Sequence, residues 1–456
     1  MSTCFLSVVR KAIVTSQCPA SAPGSSLRFR YLTAAFWSVV GLGVARGATL
    51  VASMFTARLL GAESFGGLAI VQSTVGIAAT LAGVGLGVTA SRHVAEFRVG
   101  DPARTGRILG LASAVALISG AALAIAMLVS APYVAGSVLH AAALTVPLRI
   151  ASLLVLFTAL NGYQIGALAG LEAFRAMAKV NLCCAIISCP MIIFGAYRGG
   201  ISGAVSGISA AMAATWVLNH VTLRHVCALR GIAWGWRNCW SEAHLIYRTS
   251  LPALLSSMIA APVMWLCTYW VVQQANGYQH LGIYSVADRF RLLLLFVPSA
   301  IASSVLPILS NFRGRGDRAS FRKLLRVNVL VVSMIVSVPA LALAFWARTA
   351  MGCFGSTYLA GAPILAVLCF SAIAESLNAS LGQAVTTTSP WRRFFFDVML
   401  FSIICGTAFL LVPRFGALGL AIAYLAGFSC TASALFIYVR PSKMHSSFVA
   451  CFEHVS

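Results

Sequence analysis

Twelve apolar runs of about twenty residues or more dominate this 456-residue chain. They fall near 32–57, 64–90, 107–131, 146–171, 178–197, 200–222, 249–274, 279–309, 324–347, 361–387, 394–412 and 415–439. A bilayer's hydrocarbon core, roughly 30 Å thick, is crossed by a helix of about 20 apolar residues. The runs therefore predict an all-α polytopic membrane protein. Composition agrees: charged residues make up only 9% and mean hydropathy is +0.91, against roughly 25% charge in a soluble domain. No connection is long enough for a soluble domain; the longest joins the sixth and seventh runs.

Net charge is +22, and its distribution is one-sided. With the N-terminus inside, 24 lysines and arginines fall on the cytoplasmic side. Only Arg58, Arg149, Arg198, Arg348 and Arg414 fall outside. That asymmetry puts both termini in the cytoplasm. The loops are too short for a basic, aromatic-lined nucleic-acid surface, so no nucleic-acid partner is expected. Most of the thirteen cysteines, such as Cys183, Cys184, Cys369 and Cys405, lie in apolar runs and read as small hydrophobes. No CxxC or Cys/His spacing suggests a metal, and no cofactor is expected. "GVGLG" at Gly83–Gly87 reads as helix packing rather than a dinucleotide loop.

Shifted by 216 residues, the chain matches itself. "GD" at 100–101 meets "GD" at 316–317, and "RGGISGA" at 198 meets "RFGALGL" at 414. Six glycines between 66 and 203 coincide with glycines, where 18 and 10 in 138 positions give about 1.3 by chance. The expected organisation is a tail at 1–30, a six-helix bundle at 31–223, a cytoplasmic linker at 224–248, a second bundle at 249–440 and a tail at 441–456. Six spans per repeat give both halves one orientation, related by a pseudo-two-fold along the membrane normal. In transporters with internal repeats, the substrate site lies between the repeats near the midplane.

Charges inside the runs are the functional candidates. Asp288 and Arg289 lie about ten residues from the outer end of their run, roughly 15 Å deep. Arg46 lies roughly 18 Å deep by the same ruler, and Glu375 about fifteen residues into its run. A midplane charge costs about 2.5–3.5 kcal/mol on insertion scales, so each needs water, a partner or a ligand. Asp288 with Arg289 or Arg291 could equally be a structural ion pair. Arg46 could snorkel, and Glu375 could be protonated against a helix. Arg58, Arg198 and Arg414 also suit anchors of outer helix ends. Together Arg46, Arg289, Arg291 and Arg58 form a candidate cationic lining, and arginine forks suit phosphate. Asp288 and Glu375 are the candidates for proton or sodium coupling.

"ARLLGAESFGGLAIVQSTVGIAATLAGVGLGVTASRHVAE" resembles the N-terminal signature of Wzx-type polysaccharide-biosynthesis flippases, through Arg58, Leu60, Gly61, Glu63, Phe65 and Gly66. That resemblance implies the multidrug/oligosaccharidyl-lipid/polysaccharide exporter superfamily and a MATE-like fold in a bacterial inner membrane. It implies a substrate, an oligosaccharide linked to undecaprenyl pyrophosphate, moved to the outer leaflet. Membrane lipids and the pathway's polymerase and export proteins are the implied partners. A drug or small-ion antiporter of the same fold, a lipid II flippase, and a polytopic polymerase or ligase are the alternatives. Short outer loops without an acidic pair disfavour the enzyme.

Overall fold

A computed structural model describes residues 27–83, 86–236, 239–314 and 317–439. The tails assigned to 1–30 and 441–456 lie outside the described residues except for 27–30. Thirteen α-helices carry the fold, and the described residues include no strand. They are α1 (Leu27–Gly83), α2 (Leu86–Phe97), α3 (Pro102–Tyr133), α4 (Thr145–Gly170), α5 (Phe174–Leu229), α6 (His244–Val272) and α7 (Gly277–Leu294). After these come α8 (Phe296–Gly314), α9 (Arg318–Phe345), α10 (Ala347–Gly352), α11 (Ala362–Thr388), α12 (Pro390–Phe415) and α13 (Ala417–Val439).

Eight continuous helical stretches among the described residues are long and apolar enough to span a bilayer. Two of them, Ala45–Phe97 and Phe174–Leu229, run to 53 and 56 residues. Each is roughly 80 Å of helix, enough for two crossings. Glycines divide them: Gly61 breaks α1 at φ 75°, and Gly199 and Gly200 break α5. With those halves counted singly, and with α6 and the α7–α8 pair, the helices correspond to the twelve apolar runs.

The internal repeat is visible in local geometry. Asp101 accepts the Arg104 N–H at 2.8 Å and caps α3. Asp317, its equivalent, accepts the Ser320 N–H at 3.0 Å and caps α9. Gly200 adopts φ 56°, ψ −133°, and its equivalent Gly416 adopts φ 55°, ψ −130°. That backbone region is essentially open to glycine alone. It reverses the chain between two antiparallel helices with no loop.

The chain packs as two units, 1–60 with 71–261 and 61–70 with 262–456. Residues 61–70 group with the second unit through a close crossing inside it. A Cβ at Gly66 would run into the Tyr278 carbonyl, and one at Gly282 into the Ala62 carbonyl. Residues 62 and 278, like 66 and 282, are equivalents at the 216 offset. The contact is therefore reciprocal, as in an isologous pair.

In the first unit, Leu86, Ala90, Val94, Leu109, Ala112, Leu160, Ala167 and Leu223 form one buried core. A Cβ at Gly166 would strike the Gly87 carbonyl, so Gly87, the last residue of GVGLG, packs closely against α4. Part of the 224–248 stretch packs against α3. Gly106 and Gly110 leave α3 bare where the carbonyls of Ala233 and Gly235 lie on it. Trp236 donates its indole N–H to Ser113 at 3.0 Å. The chain then returns, and buried Glu242 accepts from Arg104 Nε at 3.1 Å and Arg107 Nη2 at 3.4 Å. Residues 231–236 and 239–242 thus form a strap on α3, reaching about 14 Å along it from Arg104 to Ser113.

Candidate functional site: a buried charge cluster

Tyr284, Ala287, Asp288 and Arg291 share one face of α7 at helical spacing i, i+3, i+4, i+7. Tyr284, Ala287 and Arg291 are buried. That face carries a charge into the interior of the second unit. The Arg291 side chain is 8% exposed, and its Nε donates to Asp288 Oδ1 at 2.7 Å. Its Nη1 donates to Glu375 Oε2 on α11. The guanidinium also lies 5.1 Å from the ring centre of Tyr424 on α13. Tyr284 and Tyr424 form a tilted ring pair at 6.3 Å, and the Tyr424 hydroxyl donates to the Met264 sulfur.

One guanidinium thus serves two carboxylates and one aromatic face, drawn from three helices. Charge-assisted bonds to both acids offset the desolvation of Arg291. The cluster holds one cation and two formal anions, so a single negative charge is left over when both acids are ionised. Half-buried Asp288 and Glu375, with side chains 24% and 26% exposed, are the groups that carry it.

The sequence candidates divide between the two units. Asp288, Arg289, Arg291 and Glu375 belong to the second, and the structure joins Asp288, Arg291 and Glu375. Arg289, next along α7, is half-buried. Arg46 and Arg58 belong to the first unit, on exposed positions of α1. Arg291 is the residue whose surroundings depart most from the expected cationic lining, because two acids already hold it. Sequence reasoning missed Tyr284 and Tyr424. Tyr284 had a signal, being one turn before Asp288, whereas Tyr424 is 133 residues from Arg291 and had none.

The ten cysteines among the described residues are free thiols. No cluster of three potential metal ligands occurs among those residues.

Comparisons with known proteins bear on the whole chain. The model of a family described as polysaccharide biosynthesis protein matches residues 32–313. Two curated relatives are each called EPS I polysaccharide export inner membrane protein EpsE. The one from Ralstonia nicotianae is 24% identical over 415 residues, covering 89% of this chain and 92% of its own. The one from Ralstonia solanacearum is 24% identical over 420 residues, covering 88% and 92%. Among solved structures, the inward-facing conformation of a multidrug resistance MATE family transporter of the MOP superfamily aligns at TM-score 0.64. It is 16% identical and covers 90% of this chain and 98% of its own. A MOP superfamily transporter from Pyrococcus furiosus aligns at TM-score 0.61, also at 16% identity, with 90% and 94% covered. The fold is that of the MATE transporters, an all-helical membrane-spanning architecture.

Proposed function

The chain belongs to the polysaccharide biosynthesis protein family, and from that premise we propose that it is a flippase for a polyprenyl-pyrophosphate-linked oligosaccharide. It carries this substrate from the cytoplasmic to the outer leaflet of a bacterial inner membrane, by alternating access, with both termini in the cytoplasm. The observation that carries the reading is the near full-length similarity to export proteins together with arginines set within apolar helices. A role as exporter rather than enzyme follows the same relatives.

The pyrophosphate carries about two negative charges across a low-dielectric region. An arginine replaces lost hydration with a charge-assisted, often bidentate bond. Arg46 and Arg289 are assigned to the phosphates on depth and charge, with Arg58 nearer the outer helix end. Arg291 is assigned to its two carboxylates. Asp288 and Glu375 are assigned to coupling, because their surplus negative charge suits one proton or one sodium ion.

The test is surface polysaccharide in a flippase-deficient strain, with membrane expression measured for each variant. Alanine at Arg46 or Arg289 abolishes export, lysine keeps part of it because charge survives without the fork, and glutamate is worst. Normal export by the Arg46→Ala/Arg289→Ala double variant would remove the phosphate-binding assignment. Unchanged ion dependence in an exporting Asp288→Asn/Glu375→Gln variant would remove the coupling assignment.

A further inference from the structure

Arg393 extends in an unusual direction. It sits in the first turn of α12, three residues after Pro390. An arginine at a helix end ordinarily reaches outward to water. This one reaches inward between α11 and α12. Its Nη2 donates to Asp397 Oδ1 at 2.6 Å and to Asn378 Oδ1 at 3.3 Å, and its Nε to Asp397 Oδ2 at 3.3 Å. Its Nη1 fits only because Gly382 has no side chain, since a Cβ there would collide with it.

Two donors in this arrangement lack acceptors. Arg393 Nη1 is shut off from solvent and has no hydrogen-bond partner. Asn378 is 2% exposed, and its Nδ2 is also buried without a partner. The Arg393–Asn378 hydrogen bond makes these two groups neighbours. Unsatisfied buried donors are costly, most of all on a charged group. Both orphans call for an oxygen acceptor, and a guanidinium edge beside an amide N–H suits an anionic one. Asp397 occupies the other edge and opposes an anion; it is the resting partner that an incoming group competes with.

We propose that Arg393, its guanidinium seated against Gly382, and Asn378 form a second anion subsite, separate from the central cluster, that takes a phosphate-type oxyanion. In the proposed orientation it lies at the cytoplasmic end of α12, where a phosphate group would be met before transport. The site rests on its own geometry; only a lipid-linked source for the phosphate rests on the proposed function.

The experiment uses the purified full-length protein in phosphatidylcholine nanodiscs. Titration calorimetry measures binding of inorganic pyrophosphate and, separately, of farnesyl pyrophosphate. Arg393→Gln and Gly382→Val each weaken binding at least tenfold, and Asp397→Asn tightens it at least threefold. The gain in Asp397→Asn cannot come from misfolding. Equal dependence for both probes identifies the pyrophosphate group itself as the ligand. An Arg393-dependent site for the prenyl probe alone identifies a lipid-linked source, and one for the inorganic probe alone a free one; each supports the subsite. Absence of binding by either probe, indifference to Arg393→Gln, or an unchanged Asp397→Asn overturns it. Export by the Arg46 and Arg289 series is a separate readout, so the two proposals fail independently.

Discussion

Removing Arg291 and removing Glu375 should have very different consequences, although the two residues touch. Arg291→Met leaves Asp288 and Glu375 as two half-buried carboxylates without their cation. Breaking a buried ion pair by removing one partner costs about 3–5 kcal/mol. Side-chain exposures of 8%, 24% and 26% place this cluster in that regime rather than the surface one. Glu375→Gln instead takes the cluster from a formal −1 to neutrality and leaves Arg291 bonded to Asp288. An amide oxygen can still accept from Nη1, so the cost is at most about 1 kcal/mol, near that of one ordinary hydrogen bond. In a unit of about 200 residues, 1 kcal/mol moves Tm by roughly 2–4 °C. Arg291→Met should therefore lower the second unit's transition by roughly 6–20 °C, and Glu375→Gln by no more than about 4 °C. The assay is thermal unfolding of purified protein in nanodiscs, followed by tryptophan fluorescence. Adding Glu375→Gln to Arg291→Met should recover part of the loss, because one orphaned carboxylate disappears. Equal losses in the two single variants, or a double variant worse than Arg291→Met, would refute the charge accounting.

Gly416→Ala should cost about 1–3 kcal/mol, as φ 55°, ψ −130° is closed to alanine; Gly200→Ala should cost the same, read as paired drops in Tm. Glu242→Gln should cost about 2 kcal/mol through weakened charged hydrogen bonds to Arg104 and Arg107, and hydrogen exchange should rise across 231–236 and 239–242 while the core of α4 stays protected. The Ser320 hydroxyl and N–H donate to Asp317 and hold its carboxyl below the usual carboxylate range. A depressed pKa stabilises the fold above the unfolded value of about 3.8, and this is lost as pH falls through the folded pKa. Unfolding followed from pH 5 down to pH 2 should include that loss in the wild type, and Asp317→Asn should remove this one contribution from the slope.

The helices were legible because lipid imposes one rule, about twenty apolar residues per crossing, and leaves no other way to satisfy the backbone. The repeat was legible at residues whose role is purely local. Asp101 and Asp317 each cap the helix they precede, and Gly200 and Gly416 each make a turn that other residues cannot. Asp288 and Arg291 were legible as charges at unusual depth, but their pairing was not. Spacing allowed Arg289 or Arg291 as the partner, and Glu375 arrives from 84 residues away. The strap was hidden for another reason. "GIAWGWRNCWSEAH" has the composition of an ordinary interfacial loop, and what holds it down is the absence of side chains at Gly106 and Gly110. Arg393 shows the same limit: the sequence displays an arginine at a helix end but not the empty space at Gly382 that admits it.

The Glu242 clasp has a consequence for biosynthesis. Arg104 emerges from the ribosome 138 residues before the carboxylate that neutralises it. While α3 is being threaded into the membrane, Arg104 and Arg107 have not yet met Glu242, and lysines and arginines near span ends steer insertion. In the proposed orientation they help retain that end of α3 in the cytoplasm. Once the strap is made and folded, the same two charges are clasped by one acid and lose much of their pull on lipid headgroups. Topology is thus written with charges that the finished protein partly erases. Moving the acid from position 242 to the stretch just before α3, beside Asp101, would add a second neutralising charge during threading instead of after it.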